Sequence, residues 1–483
     1  MKYTSHGRRW PRRTSRRSFR SVALAAACFL GAAACQQEVT NPSIITPGTL
    51  NTPSALPTIR DAALGDFALA YGGSGADGSQ GIEGAVMYSG LLADEFINSE
   101  TFPTRIEVDR RSIQVTNADV TLWFRNLMRA RASTEFAARE YRALAPDTTA
   151  QSGLSEVLSL SGYTYLFMAE NYCSGVPIST IAPDGSLNFG AALTTKNLYD
   201  SAAARFTQAL NAANALNATV SAASKTLDIQ LATVGLGRTI MDSASTRAGF
   251  AAAAALVAVV PTNFIYREYH SNNNTREWNG IYTAMVFAKR YAVTDLEGTN
   301  PFNAPHFVTA PDPRLPVNHT GNGFDGSTPQ WNNGRFTQNT DPIPLATGAE
   351  ARLIEAEAAL ATGDTATMLT RLNALRAAPP SYFAPTGGAI PAMAALTTTG
   401  LDTAGVQNLL FSEREVWLYS SAHRLGDLRR LAKSPGPYQR APESVFPHGA
   451  YFKGGVYGTD YNFPVPFDET NNPNFAQCIN RNP

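Results

Sequence analysis

Residues 352–376 read RLIEAEAALATGDTATMLTRLNALR, and this stretch decides the fold. Apolar residues recur every three or four positions on both sides of the turn Thr362-Gly363-Asp364. That spacing predicts two helices, over residues 348–361 and 364–378. The turn supplies a glycine for the C-cap of the first helix and an aspartate for the N-cap of the second. The stretch therefore predicts a helical hairpin.

The same periodicity recurs along the chain and predicts further helices at 119–144, 152–172, 198–217, 228–243, 247–260, 403–421 and 423–432. Asp119 is the expected N-cap of the helix at 119–144. One helical pair cannot bury its apolar face alone, whereas stacked pairs can. The sequence therefore predicts a mainly α protein, built on a tetratricopeptide-like helical-repeat scaffold.

Long stretches of low charge separate the predicted helices, at 261–347, 379–402 and 433–483. They are rich in Gly, Asn, Pro and Thr. Loops of this length are uncommon unless they are functional or folded onto a scaffold. We therefore expect long irregular loop insertions on the helical scaffold.

Composition places the chain among globular proteins and argues against nucleic-acid binding. Of the 483 residues, 44% are hydrophobic and 16% are charged, which excludes wholesale disorder. Basic and acidic residues number 39 each, but eight basic ones lie in the first 20 positions and residues 1–34 hold no acid. Without that segment, 31 basic residues face 39 acidic ones, a net charge of −8. Such a balance is unfavourable for phosphate-backbone binding.

The N-terminus has the pattern of an export signal. The basic stretch runs into residues 22–34 (VALAAACFLGAAA), an apolar segment too short to span a bilayer comfortably. Small residues directly before Cys35 resemble a bacterial lipobox, which predicts a lipoprotein-type signal peptide over 1–34 and lipidation of Cys35. Cleavage without modification of Cys35 is the alternative, and the sequence leaves Sec and twin-arginine export both open.

The segment after Cys35 reads as a tether to a single folded domain. Residues 35–57 are rich in Pro, Thr and Asn and lack the period of a helix or a strand. The chain would then be held to a membrane through lipid alone, with one helical domain over 58–483. Cys173 and Cys478 could form one disulfide in an oxidising compartment, or remain two separate buried thiols.

The sequence carries little that indicates catalysis. It contains no HExxH, GxSxG or P-loop motif, and its six histidines are scattered, so we expect no metal, cofactor or catalytic residue. Calcium binding alone stays open, although the sequence has no EF-hand loop. Gly73–Gly78 matches GxGxxG by letters but follows a helical segment, so it reads as a flexible loop. Acid pairs such as Asp94-Glu95 or Glu355/Glu357 could in principle serve a glycosidase, which needs two carboxyl groups across a cleft. The charged cluster at 413–430 has the spacing of buried salt bridges instead.

Four blocks in order resemble the SusD/RagB-like outer-membrane nutrient-binding lipoproteins. The blocks are Tyr163–Pro177 (YTYLFMAENYCSGVP), Arg352–Arg376, Leu410–Arg430 (LFSEREVWLYSSAHRLGDLRR) and Tyr461–Asn474 (YNFPVPFDETNNPN). With the lipobox, the resemblance spans nearly the whole chain. The sequence departs from the family pattern at Ser420-Ser421-Ala422-His423, where a Glu-Gly pair is usual before the arginine.

The resemblance implies a SusD-like fold and a role in nutrient uptake rather than an enzymatic one. It implies a lipid-anchored protein on the outer membrane, at the cell surface, that captures an oligosaccharide or a peptide. It also implies delivery to a TonB-dependent, SusC-like β-barrel transporter. Two other functions stay open from the residues: a surface polysaccharide hydrolase, and a helical-repeat scaffold protein without a ligand.

Sugar rings stack on exposed aromatic side chains, with Asn, Asp and Arg binding their hydroxyls. Three aromatic residues lie in polar loops: Phe102 (ETFPTR), Trp278 (NNTREWNG) and Trp331 (TPQWNNGR). Trp278 and Trp331 each lie beside several Asn and an Arg, the mixture that a polar ligand needs. In the family, the ligand site is an aromatic patch on loops beside the helical scaffold. We therefore predict that these three residues contact the ligand.

Overall fold

The computed structural model describes residues 50–75, 81–147, 151–182, 186–217, 219–293, 295, 298, 306–383, 388–475 and 477–481. The predicted signal peptide and Cys35 lie outside these residues. A short 3₁₀ turn, Pro53–Ala55, precedes the first helix, which begins at Leu56. That helix thus begins two residues before the predicted domain start at 58.

Helices dominate the described part of the chain, as predicted. They are α1 (Leu56–Gly72), α2 (Ala85–Leu92), α3 (Pro103–Asp109), α4 (Ala118–Leu144), α5 (Leu154–Asn171), α6 (Thr195–Ala215), α7 (Ala222–Ser243), α8 (Arg247–Val257), α9 (Gly280–Tyr282, continued by a π-helical turn, Thr283–Phe287), α10 (Gly348–Thr362), α11 (Thr365–Ala377), α12 (Thr403–Trp417) and α13 (Arg424–Ala432). Successive helices from α4 to α8 pack on one another, α1 packs on α4, and α10 packs on α8 and α11.

The described strands are short and form two-stranded antiparallel pairs. They are β1 (Ile97–Asn98), β2 (Val176–Pro177), β3 (Thr180–Ile181), β4 (Leu187–Asn188), β5 (Ala192–Leu193), β6 (Ile265–Glu268), β7 (Tyr291–Ala292), β8 (Val317–Asn322), β9 (Pro329–Asn333) and β10 (Ile343–Thr347). The pairs are β1–β7, β2–β5, β3–β4, β6–β10 and β8–β9. In the described part of the stretch 261–347, β8 and β9 form a hairpin, β6 pairs with β10, and β7 pairs with β1. The predicted loop insertion is thus folded onto the scaffold there.

The turn Thr362-Gly363-Asp364 ends α10 and begins α11 as predicted. Gly363 adopts a left-handed conformation, φ 89°, which glycine reaches without steric cost. The Asp364 side chain accepts a hydrogen bond from the Thr367 amide at 2.9 Å. The N-cap prediction for α4 was wrong. Asn117 caps that helix by accepting from the Val120 amide, since the helix begins one residue before Asp119.

Close approach of three helices places one aromatic ring at the centre of the scaffold. Phe206 of α6 is fully buried between Gly162 of α5 and Gly235 of α7. A Cβ at residue 235 would lie 2.2 Å from the Phe206 ring, and one at residue 162 would lie 2.9 Å from it. The ring fills the space that the two missing side chains leave.

The charged cluster at 413–430 is a buried ion network, which confirms that prediction. Arg414 binds Asp427 at 2.8 Å, and Arg430 binds Glu357 at 2.7 Å. Arg424 makes a bidentate pair with Asp94, at 2.6 and 2.8 Å. These pairs connect α10, α12, α13 and the loop after α2. Since burying a charge is costly unless it is paired, the network fixes how these elements meet.

No helix in the described ranges combines the length and the apolar character that crossing a membrane requires.

Candidate functional site

Two phenyl rings from distant parts of the chain form an exposed aromatic platform, Phe102 with Phe324. Phe102 immediately precedes α3, and Phe324 lies in the turn between β8 and β9. Their ring centroids are 6.1 Å apart and their planes are 26° from parallel. The residues are 43% and 55% exposed. Large apolar side chains exposed side by side mark an interaction site more often than a single exposed ring does.

Backbone hydrogen bonds hold the platform in place. The Phe324 amide donates to the Lys289 carbonyl at 2.8 Å, and the Asp325 amide donates to the Ser99 carbonyl at 3.0 Å. The buried side chain of Gln330 on β9 accepts from the Ser99 hydroxyl and donates to the carbonyl of Tyr291. The β8–β9 hairpin is therefore bonded to both segments that flank it, which fixes the backbone that carries Phe324 beside Phe102.

Two guanidinium groups lie against the platform. The Arg290 Cζ lies 5.1 Å from the Phe102 ring centre and 5.6 Å from that of Phe324, and the Arg105 Cζ lies 5.8 Å from the Phe102 ring. Glu100 lies within 3.3 Å of Arg290 and 3.4 Å of Arg105. Burial raises the pKa of Glu100 to about 7, although both arginines act to lower it. The cations orient the rings through cation–π contacts.

An open groove of about 750 Å³ lies beside the platform and carries hydrogen-bonding groups. Its lining includes Glu100, Asp325, Thr328, Phe452 and Lys453. The Lys453 ammonium donates to Asp325 at 2.8 Å. Although burial acts to raise it, the bonds from Lys453 and Thr328 hold the pKa of Asp325 well below its usual range. The aromatic platform and the polar groove together provide stacking and hydrogen-bonding surfaces.

Trp278 belongs to a second aromatic pair, with Phe287 as its partner. Its ring meets Phe287 edge to face, with 5.9 Å between centroids, and Phe287 is 65% exposed. Trp278 itself is half-buried because its indole covers Gly75, where a Cβ would lie 2.6 Å from the ring. Segment 287–290 thus carries Phe287 at one end and Arg290, which lies against the platform, at the other.

Unlike Phe102 and Trp278, Trp331 does not pair with an exposed phenyl ring among the described ring contacts. Its half-buried side chain packs against the core and against His319, 4.8 Å between ring centroids. Its carbonyl accepts from the Val293 amide at 2.8 Å. Among the described ring contacts, none joins Trp331 to Phe102 or Trp278. The structure thus brings Phe102 together with Phe324, and Trp278 with Phe287.

Three residues of these sites, Phe324, Phe287 and Gln330, were not predicted from the sequence. Phe324 lies in NGFDGS, a turn-forming context that also surrounds many residues without function. The one usable signal was an aromatic residue in a polar loop, the same reasoning that selected Phe102.

Cys173 and Cys478 form a disulfide in the structure, with their Cα atoms 5.8 Å apart. Cys173 is fully buried at the end of α5, and Cys478 is half-buried near the C-terminus. The bond attaches the closing segment of the chain to the helical scaffold.

A Ser–His–Glu series at the family-divergent turn has the residue types of a catalytic triad. Ser421 Oγ lies 2.8 Å from His423 Nδ1, and His423 Nε2 lies 3.0 Å from Glu350. However, the Ser421 hydroxyl donates to the Leu418 carbonyl, and the Arg238 guanidinium lies 2.9 Å from His423 Nε2. Burial and then Arg238 lower the pKa of His423. These contacts use the hydroxyl and the imidazole to hold the turn.

The acid pairs considered for a glycosidase each have arginine or backbone partners. Asp94 pairs with Arg424, and Glu355 lies 3.0 Å from Arg371. Glu357 pairs with Arg430, while Glu95 accepts from the Ser420 amide. No cluster of three or more metal-ligating side chains occurs in the ranges that the structure describes.

Known proteins are similar to this chain in structure rather than in sequence. The sequence matches no protein-family model, and no curated protein matches it significantly. Many solved structures match the fold. The chain has the SusD-like fold.

Three of these structures illustrate the likeness. A SusD-like protein from Bacteroides fragilis matches with a TM-score of 0.61 and 12% identity, over 90% of this chain and 98% of its own. The surface glycan-binding protein A of Bacteroides thetaiotaomicron, in complex with laminarihexaose, matches with a TM-score of 0.60 and 11% identity, over 88% and 99%. A SusD-like carbohydrate-binding protein from Bacteroides vulgatus matches with a TM-score of 0.52 and 15% identity, over 78% and 83%. The SusD-like fold is thus retained at low identity.

Proposed function

We propose that this chain is a cell-surface glycan-binding protein that captures its ligand on the Phe102–Phe324 platform. The exposed pair of phenyl rings, fixed by backbone hydrogen bonds before any ligand arrives, is the observation that carries the proposal. Preorganised sites lose less entropy on binding than flexible ones do.

The chemistry of the platform suits a carbohydrate. A sugar presents C–H faces that stack on aromatic rings and hydroxyls that bind polar side chains. The platform offers two rings, and the adjoining groove offers Asp325, Thr328 and Lys453. The laminarihexaose complex of a protein with the same fold supports the choice of glycan over peptide.

The proposal extends to a lipid anchor at Cys35 and to a transporter as the partner of this chain. The lipobox at Cys35 supports a lipid anchor in the outer membrane, and the family resemblance supports a TonB-dependent, SusC-like β-barrel transporter that receives the captured glycan. Purifying the chain from the outer membrane of its host tests both parts. We expect a β-barrel to copurify and Cys35→Ala to release the chain from the membrane fraction. A wild-type chain found in the soluble fraction would contradict the anchor.

The ligand site is tested by calorimetry with a panel of laminarihexaose, maltohexaose and xylohexaose. We expect the double variant F102A/F324A to weaken binding at the platform at least tenfold, about 1.4 kcal/mol or more, because the stacking surface is removed. Phe189→Ala is the matched control, since Phe189 is a comparably exposed phenyl ring carried by the loop between β4 and β5. Unchanged affinity in F102A/F324A would refute the assignment.

A further inference from the structure

A second groove, of about 660 Å³, lies between α1 and β6, on elements that do not build the platform. Its lining includes Arg60 and Gly65 of α1, Glu268 of β6, and Tyr269 and His270 just after that strand. Phe102 and Phe324 are not among the lining residues. The volume lies in the range of small-ligand sites.

Glu268 is the first unexplained feature of this groove. The residue is 4% exposed, and its Oε1 has no hydrogen-bond partner in the described part of the chain. Burial raises the pKa of this carboxyl to about 8, so it is protonated at neutral pH and can both donate and accept a hydrogen bond. A buried polar atom without a partner is rare in folded proteins and costs stability unless a ligand or water satisfies it.

His270 is the second unexplained feature of this groove. Its Nε2 also lacks a hydrogen-bond partner among the described residues, and burial lowers the pKa of the imidazole to about 4. The ring is therefore neutral near pH 7. Two adjacent groups on one groove thus offer hydrogen bonds without carrying charge.

Tyr269, between these two residues in sequence, is 75% exposed. An aromatic ring at the rim of a polar groove provides a stacking surface. Two of the arginines that line the groove are paired, Arg60 with Glu156 at 2.5 Å and Arg276 with Asp66 at 2.5 Å. Because Glu268 and His270 carry no charge near pH 7, the hydrogen bonds that they offer suit a neutral ligand with many hydroxyls.

We propose that this groove is a second glycan-binding subsite, where a sugar ring stacks on Tyr269 and its hydroxyls bond to Glu268 and His270. The choice of a glycan as the ligand rests on the proposed function, whereas the groove itself is inferred from Glu268, Tyr269 and His270 alone. With two subsites on one chain, a long polysaccharide is held at both, and binding of the second stretch becomes intramolecular.

Calorimetric stoichiometry tests the proposal with laminarihexaose, maltohexaose and xylohexaose as probes. We expect two hexasaccharides per wild-type chain, one in Tyr269→Ala, one in F102A/F324A, and none when the substitutions are combined. On the polysaccharide, Tyr269→Ala is expected to weaken binding at least tenfold through loss of avidity. Phe189→Ala, a substitution of another exposed ring, is expected to keep both sites.

Glu268→Leu separates a ligand role from a structural one. We expect it to lose the second hexasaccharide while its unfolding temperature stays equal to or above that of the wild type, because an unpartnered carboxyl is removed. A lower unfolding temperature with two sites retained would overturn the assignment.

The remaining outcomes separate the two proposals. One site per wild-type chain, abolished by F102A/F324A, would overturn the second subsite and leave the platform standing. One site abolished by Tyr269→Ala alone would overturn the platform. A wild-type chain that binds none of the three probes would overturn both.

Discussion

At the scale of single residues, the protonated carboxyl of Glu268 links the fold to pH. Its pKa of about 8 in the folded chain lies above the value of about 4.3 for an unfolded glutamate. Between those pH values the unfolded state loses the proton and the folded state keeps it, so this group makes stability fall as pH rises. The total effect is about 5 kcal/mol.

Glu268→Gln removes that contribution. We expect the stability of the variant, relative to that of the wild type, to increase as the pH rises from 5 to 8. Urea unfolding at each pH measures this difference. The control is Glu277→Gln on the same groove. Bonds from Ser271 and Asn274 lower the pKa of Glu277, so its contribution is constant over this range. An equal difference from the wild type at pH 5 and pH 8 in E268Q would refute the argument.

Individual site residues were predictable only where their own sequence context was informative. Phe102 stands out because it is an aromatic residue in a polar loop, and the structure exposes it. Its pairing with Phe324 could not be predicted that way, since the pair forms only when the β8–β9 hairpin returns across the segment at 289–291. Trp331 has a polar context similar to that of Trp278, yet its strand turns the ring against the core. Burial on β9 is set by tertiary packing, which the local sequence does not encode.

At the scale of elements, the contact of α6 with α5 and α7 depends on two missing side chains. We expect Gly235→Ala to destabilise the protein by about 1–3 kcal/mol. The new methyl group would meet the buried Phe206 ring at 2.2 Å, and this overpacking exceeds the gain of about 1 kcal/mol in helix propensity.

Gly65→Ala in α1 provides the matched comparison. There the nearest atom to a new Cβ is the Arg276 Nη1, at 3.6 Å, at the end of a flexible side chain. We expect this variant to be stabilised by up to about 1 kcal/mol. Urea unfolding of the two variants gives the signs directly. A stabilised G235A would show that the helices separate without cost.

Most of the helices were predictable because their signals are local, although α1, α2, α3 and α9 were not among the predicted ranges. Periodicity and caps lie within a few residues of each helix, so the predicted 119–144 corresponds to Ala118–Leu144, and 348–361 to Gly348–Thr362. The strands carried no such signal. β8 reads VNHTGN, which lacks apolar alternation, because this strand is mostly exposed. The hairpin is fixed by its partner strand β9, which is mostly buried, and by hydrogen bonds to the segment at 289–291.

At the scale of the whole molecule, two kinds of long-range link bind the segments together. The buried ion network connects α10, α12 and α13 with the loop after α2. The C-terminal segment is attached differently, by the disulfide and by backbone bonds such as that from the Cys173 amide to the Phe463 carbonyl at 2.9 Å. The C-terminal segment is therefore held by one covalent bond together with several hydrogen bonds.

The disulfide joins residues 305 apart, so it restricts the unfolded chain strongly. We expect reduction to lower the free energy of unfolding by about 3–5 kcal/mol, because long loops lose the most entropy on closure. The measurement is the urea midpoint of the wild type with and without dithiothreitol. Cys478→Ala is the matched variant: it cannot form the bond, so its midpoint is expected to equal that of the reduced wild type and to be insensitive to reductant. A wild-type midpoint that dithiothreitol leaves unchanged, together with a free thiol at Cys173 by mass spectrometry, would show that the two cysteines remain separate and that hydrogen bonds alone hold the C-terminal segment.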